Sequence, residues 1–278
     1  MGMQINTNLA ANNSYRNLST TQNDLSKSLE KLSSGLRINR AADDAAGLAI
    51  SEGLKSQVGG LSVAARNAQD GISVIQTAEG SLTEVHSILQ RVRDLAVQSG
   101  NDSNNADSRA AIATEVTELG KELTRIGDST NFNGINLLDG AKTSLTFQVG
   151  AGSNAAADQI TVDLTDVKAI GTAISGLATA GFADAAASLT TIAAVDTQIK
   201  GVSTARAELG ASQNRFESVV RNISVSKENL SAAGSRIRDT DMAEEMVKFT
   251  RANILSQAGT SMLAQANQSN QGVLSLLR

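Results

Sequence analysis

The chain has 278 residues, a formal net charge of −4, 41% apolar residues and 2% aromatic ones. Such a mild acidic balance argues against a nucleic-acid surface, which needs clustered Lys and Arg, and any core must be built from Ala, Leu, Ile and Val. There is no cysteine and no proline, so disulfides and thiolate metal sites are excluded and long unbroken helices become possible.

The longest apolar runs, such as Ile192–Val195, are four residues long, too short for a membrane span or the apolar stretch of a signal peptide. No membrane association is expected. If the protein leaves the cell, the expected route uses no cleaved signal peptide.

Leu18, Gln22, Leu25, Leu29, Leu32 and Leu36 recur at alternating steps of four and three. That is the rhythm of a helix burying a seam against a partner helix. A second series runs Leu54, Val58, Leu61, Ala65, Ala68, Ile72, Ile75, Ala78, Leu82, Val85, Leu89, Val92, Ala96. With Asp44 capping one end and Gly100 the other, it predicts a helix about 85 Å long. Ile112, Val116, Leu119, Leu123 and Ile126 predict a third helix over about 105–128, and the turn residues of "DSTNFNGINLLDG" end it.

Leu145, Phe147 and Val149, then Ile160, Val162 and Leu164, alternate with polar residues and predict a β-hairpin. Residues 168–190 are rich in Ala, Gly, Ser and Thr and give only a weak signal. The helical pattern returns in Ile192, Val195, Ile199, Val202, Ala205, Leu209, Ser212, Phe216, Val219, Ile223, Ser226 and Leu230.

A last helix follows "AGSRIRDTD". Asp241 and Glu244 stand at capping-box spacing, and Met242, Met246, Phe249, Leu255, Ala258, Met262, Ala266 and Val273 are its apolar positions. Each long central series contains one three–three step, at Ala78 and at Ala205. A slip is tolerated best when partners slip together, so we expect the two helices to run antiparallel with Ala78 near Ala205 and Leu54 near Leu230.

Nothing in the chain spells catalysis or cofactor binding. His86, the single histidine, lacks the companions of a metal site or triad and reads as a surface or seam-edge residue. Asp43 and Asp44, like the run Asp239, Asp241, Glu244 and Glu245, lie at inferred helix starts, where carboxylates cap amides rather than bind calcium. The glycines form no phosphate-binding motif. The chain is expected to be no enzyme, with no cofactor and no metal.

Several long motifs in order carry a resemblance. They are "INTN" (5–8), "LSSGLRINRAADDAAGLAIS" (32–51), "AARNAQDGISVIQTAEGSL" (64–82), "LQRVRDLAVQ" (89–98), "NFNGINLLDG" (131–140), "SRIRDTDMAEEM" (235–246) and "MLAQANQSNQGVLSLLR" (262–278). Together they resemble the bacterial flagellins over about residues 3–140 and 190–278, in a short form lacking large outer insertions. Met1 and Gly2 precede the usual start at Met3, and Asn270 stands where many members carry proline.

The resemblance implies a mainly α fold: a long antiparallel coiled-coil rod with a small β-hairpin region, and chain termini paired in an inner helical domain. Residues 1–43 with 235–278 would form that inner-tube domain, and 44–234 an outer rod with helices at about 44–100, 105–128 and 190–230 and a hairpin region at about 141–168. The implied function is a structural subunit that self-assembles into the extracellular flagellar filament for motility. Inner-domain assembly would use Leu18, Leu25, Leu29, Leu32, Leu36, Leu255, Met262 and Val273. Residues Arg37, Arg40, Asp43 and Asp44 would lie in the spoke, as salt-bridge formers and intersubunit contacts.

Implied partners are further copies of the chain, a flagellar export chaperone, the flagellar type III export apparatus, and hook-associated and cap proteins. The chaperone contact would fall on Met262, Leu263, Val273, Leu274 and Leu277. A vertebrate innate immune receptor is a further implied partner through Arg91, Leu95 and Glu115, with Asp94 standing where Glu is common. The nearest alternative is a hook–filament junction protein, which shares the terminal helical design. An enzyme domain inserted in 141–190 is disfavoured because that stretch holds no histidine. An intracellular coiled-coil scaffold would satisfy the heptads alone.

Overall fold

The computed structural model describes residues 8–276, with side chains described as far as residue 268. Two compact units emerge, Met1–Val58 with Glu228–Arg278, and Gly59–Lys227. The elements in chain order are α1 (Leu9–Ser34), α2 (Ala45–Ser99), α3 (Ala106–Ser129), β1 (Asn131–Phe132), β2 (Ile135–Asn136), β3 (Ser144–Gln148), α4 (Ala155–Asp158), β4 (Gln159–Asp163), α5 (Val167–Ala180), α6 (Ala185–Arg238) and α7 (Met242–Leu276). Helices α2 and α6 contribute residues to both units.

The core of the Gly59–Lys227 unit lies between α2 and α6, with α3, α5 and the β3–β4 hairpin packed on them. The two long helices run antiparallel. Ser99 Oγ lies 2.8 Å from Ser188 Oγ, Arg93 Nε donates to Asp196 at 2.6 Å, and Arg206 pairs with Glu79 at 3.8 Å. The last pair places the neighbours of Ala78 and Ala205 side by side, as the antiparallel expectation requires.

The expected slip, however, is absent. On α2 the buried positions Ala64, Ala68, Gly71, Ile75, Ala78, Leu82, Val85, Leu89, Val92, Ala96 and Ser99 form an unbroken four–three alternation, with Val74 and Leu95 buried beside it. On α6, Ser188, Val195, Val202, Leu209, Phe216 and Ile223 are buried at every seventh position. The seam passes through Gly71, not Ile72, because the Phe216 ring fills the space a side chain would take. A Cβ on Gly71 would lie 3.0 Å from Phe216 Cε1 and Cζ.

Residues 168–190, which gave a weak sequence signal, contain α5 and the start of α6. Helix α5 begins at Asp166, whose side chain accepts from the Ala169 amide at 2.8 Å. It packs on α3 with backbones nearly touching: a Cβ on Gly171 would sit 2.7 Å from Thr124 N and 2.9 Å from Gly120 O, and one on Gly127 would sit 3.0 Å from Lys168 N. The glycines that weaken helix propensity are what permit this approach.

The expected β-hairpin is β3–β4, antiparallel with Leu145 opposite Val162 and Phe147 opposite Ile160. Its apolar face meets the rod, where Phe147 and Phe216 stand edge to face at 5.5 Å and 87°. The turn cluster after α3 folds as a second, two-residue hairpin, β1–β2. Asn133 at φ 51° and Gly134 at φ 76° supply the left-handed pair such a turn requires.

In the other unit α1 pairs with α7. Asn8 caps α1 by accepting from Ala11 N, and Gly35 closes it in the left-handed conformation, its N–H donating to Lys31 O. Leu54 and Leu230 line one groove where α2 and α6 run through this unit, as expected from their antiparallel course. Among the described residues no helix is long and apolar enough to cross a membrane, and no group of three or more His, Cys, Asp or Glu is placed to hold a metal ion.

Candidate assembly surface at the paired chain ends

The α1–α7 seam is made largely of small side chains. Residues turned into it on α1 are Ala11, Ser14, Leu18, Thr21, Leu25, Ser28 and Leu32; on α7 they are Glu245, Phe249, Ala252, Ser256, Gly259, Leu263 and Ala266, again at steps of four and three. Leu18 fits over Gly259, where a Cβ would approach its Cδ1 to 3.1 Å. Asn8 Nδ2 donates to Ala266 O at 2.9 Å, tying the start of α1 to α7.

The expected assembly residues divide accordingly. Leu18, Leu25, Leu32 and Leu36 are half-buried. Leu29, Leu255 and Met262 face away from the seam and are 56%, 52% and 66% exposed. The side chain of Val273, and Leu274 and Leu277 with it, lie outside the described residues. On α7 the sequence reading merged two faces into one apolar series. The face toward α1 is Phe249, Ala252, Ser256, Gly259 and Leu263, whereas Met242, Met246, Val247, Ile254, Leu255 and Met262 point outward.

Part of that outward surface forms a groove. Met246, Val247, Thr250, Arg251, Ile254 and Leu255 line an open, mostly apolar groove of about 510 Å³. Helix α7 therefore carries large apolar side chains on its outward side as well as toward α1, interspersed with polar ones such as Lys248, Arg251, Asn253 and Gln257. Alone, α1 covers one side of it. A further groove of about 310 Å³ between α1 and α7 carries charge, with Lys27 and Lys31 facing Glu245, Lys248 and Arg251. Glu245 is 4% exposed, and Lys248 Nζ lies 3.8 Å from it and 2.8 Å from Glu244.

The segment joining α1 to α2 is stitched to the one joining α6 to α7. Leu36 and Asp239 form an antiparallel bridge, Arg37 N donates to Arg238 O at 2.6 Å, and Thr240 N donates to Gly35 O at 3.0 Å. Arg37 adds its guanidinium, which donates from Nε and Nη2 to Ile237 O at 3.2 and 2.7 Å. Ile38, 1% exposed, plugs the joint beneath.

The carboxylates here serve the backbone. Asp43 Oδ2 accepts from Asn39 N and Arg40 N at 3.1 and 3.0 Å. The Arg40 and Asn39 amides hold the Asp43 carboxyl below its usual range, with Lys31 and Lys27 adding to this. Asp44 Oδ1 accepts from Gly47 N at 2.9 Å and so caps α2. Asp241 Oδ1 accepts from Ala243 N and Glu244 N at 2.9 and 3.2 Å and caps α7. Glu244 does not fold back to complete a capping box; it pairs with Lys248 instead.

Of the four charged spoke residues, Arg40 alone makes an ion pair among the described residues, with Glu30 at 2.9 Å. Sequence reading missed Glu52, which holds Arg238 at 2.8 Å. It lies at helical spacing from residues read only for their apolar face.

Elsewhere, Arg91 meets Glu115 through Nε at 2.9 Å and Nη2 at 2.7 Å on the rod surface. Leu95, expected with them, is 2% exposed and packs in the core beneath. His86 is half-buried with Nε2 3.0 Å from Gln90 Nε2.

The bacterial flagellin N-terminal helical region matches residues 5–143, and the bacterial flagellin C-terminal helical region matches residues 192–277. A flagellin of Halalkalibacterium halodurans is 54% identical over 278 residues, covering 99% of this chain and 100% of its own length. One from Bacillus subtilis is 48% identical, with the same coverages of 99% and 100%. The fold is shared with a solved chain described as a flagellar hook-associated protein from Vibrio parahaemolyticus, at a TM-score of 0.58 and 16% identity over 71% of this chain and 100% of that one.

Proposed function

The chain belongs to the bacterial flagellin family, and on that premise we propose that the outward faces of α7 are the surface through which it polymerises. It is a structural subunit of the extracellular flagellar filament, a homopolymer of such chains, and not an enzyme. The observation that carries the proposal is the apolar surface on α7 away from α1: Met246, Val247, Ile254, Leu255 and Met262 are each between 52% and 66% exposed. Apolar area of that extent is covered in the working form of a soluble protein. A head-to-tail contact that does not close covers it in every copy and generates a helical filament.

In this reading the paired chain ends, residues 1–43 with 235–278, form the inner layer and 44–234 the outer rod. In the stitched joint at 35–44 and 235–241, Arg37, Arg40, Asp43 and Asp44 add intersubunit contacts. Before assembly an export chaperone would bind Met262, Leu263, Val273, Leu274 and Leu277 until the chain enters the flagellar type III apparatus. Hook-associated and cap proteins would meet the same inner layer at the filament's ends. An innate immune receptor would read Arg91 and Glu115 on the rod surface, with Leu95 setting the helix position from below.

Ile254→Asp tests the assembly surface. Ile254 is 61% exposed, so the subunit is expected to keep its helix content and melting temperature. Burying an unpaired carboxylate at a subunit contact costs about 3–5 kcal/mol, so the concentration needed for salt-induced filaments should rise more than about 100-fold. Electron microscopy and sedimentation read the result; filaments at the wild-type threshold would refute the assignment.

A further inference from the structure

Three of the chain's five methionines, Met242, Met246 and Met262, stand on the outward surface of α7 at 48%, 52% and 66% exposure. The other two, Met1 and Met3, lie outside the described residues. The chain has no cysteine, so the thioethers are its only oxidisable sulfurs. Methionine fills irregular apolar contacts well because it is flexible and polarisable. The same sulfur is open to two-electron oxidants whenever it is exposed, and the sulfoxide is a polar, chiral group that disrupts such contacts.

Resting on the assembly reading above, we propose that Met242, Met246 and Met262 make polymerisation oxidation-sensitive: peroxide converts them to sulfoxides in the free subunit and bars it from the filament, while assembly shields them. In the chemical step a sulfur lone pair attacks one oxygen of hydrogen peroxide. The S–O bond forms as the O–O bond breaks, the thioether is oxidised by two electrons, and the second oxygen leaves as water with both protons.

The geometry gives the consequence its size. Met246 shares its groove with Val247, Ile254 and Leu255 as well as Thr250 and Arg251. A sulfoxide there puts a polar group into a mostly apolar contact, and burying it with its hydrogen bonding incomplete raises the assembly threshold at least tenfold. Leucine matches methionine in volume and cannot be oxidised, so replacing all three should preserve assembly and remove the sensitivity.

The test uses the full-length subunit. Monomer is treated with hydrogen peroxide, freed of it, and assembled with ammonium sulfate, with peptide mass spectrometry locating each added oxygen. Oxidised wild type is expected to need at least tenfold more protein to form filaments, and methionine sulfoxide reductases with a thiol reductant to restore the original threshold. Met242→Leu/Met246→Leu/Met262→Leu should assemble equally with or without peroxide, although Met1 and Met3 are still oxidised.

A second measurement does not depend on that variant. Preformed filaments given the same peroxide should show at least fivefold slower oxidation at the three sites than monomer does. Equal assembly of oxidised and untreated wild type, or equal oxidation rates in monomer and filament, would overturn the proposal. Untreated wild type that forms no filament at all would instead overturn the assembly reading on which it rests.

Discussion

Removing residues 240–278 is expected to abolish filament formation while leaving the Gly59–Lys227 unit folded. The deletion takes away all of α7, and with it the Thr240–Gly35 hydrogen bond and every seam partner of α1. No member of the large buried cluster is lost, since it runs from Ala68 to Phe216. The truncated chain should therefore keep a cooperative thermal transition close to that of the intact chain, with helical signal reduced by α7 and by the melting of α1. Helix α1 has 26 residues, many of them polar, and an isolated helix of that kind is marginal in water. Sedimentation of salt-treated samples should find no polymer at a hundred times the wild-type threshold. Polymer from the truncated chain would mean that the rod, not the paired ends, carries the contacts.

The opposite dissociation, folding damaged with the assembly surface untouched, is expected of Phe216→Ala. Phe216 is fully buried, meets Phe147 edge to face and rests on the bare backbone of Gly71. Nothing nearby can collapse into the space its ring leaves, because Gly71 has no side chain and the helices on either side are fixed by their own heptads. Phe→Ala at such a site costs about 3–5 kcal/mol. For a unit of this size that lowers the melting temperature by roughly 6–20 °C. Gly71→Ala should be destabilising by itself, pressing a methyl to 3.0 Å from the ring, yet largely harmless once Phe216 is alanine. A thermodynamic cycle across the four proteins reads the coupling; simple additivity would contradict the exchange of volume between the two residues.

That pair also shows where sequence reading stops. The heptads of α2 and α6 were legible because a buried helix face repeats at nearly seven residues, and the antiparallel course followed. The apparent slip at Ala78 arose from taking Ala65 and Ile72 for the buried Ala64 and Gly71: a glycine in a seam looks like a gap until the ring that fills it is known. Helix α5 was invisible for a related reason. Gly171 and Gly176 depress helix propensity, and only the approach of the α3 backbone explains why Gly171 is there.

At the chain ends the sequence placed apolar residues on α7 but did not sort them. Ala252, Ser256 and Gly259 carry little hydrophobic weight, so the seam toward α1 was hidden behind the larger Met246, Ile254, Leu255 and Met262 of the outer faces. Periodicity finds a helix that buries one side; a helix with apolar residues on two sides has no single stripe. The joint was recognisable as a charged interruption between two seams. That Asp43 and Asp44 would accept from backbone amides was legible because those contacts are local; that Arg37 would grip the Ile237 carbonyl depended on the course of a segment two hundred residues away.

In the proposed filament, neighbouring subunits cover the outward faces of α7, and an electron cryomicroscopy map of filaments grown from the intact chain tests this. Met246, Val247, Ile254, Leu255 and Met262 are each expected in van der Waals contact with another copy. A map in which those side chains face solvent, with copies joined only through the Gly59–Lys227 unit, would contradict it.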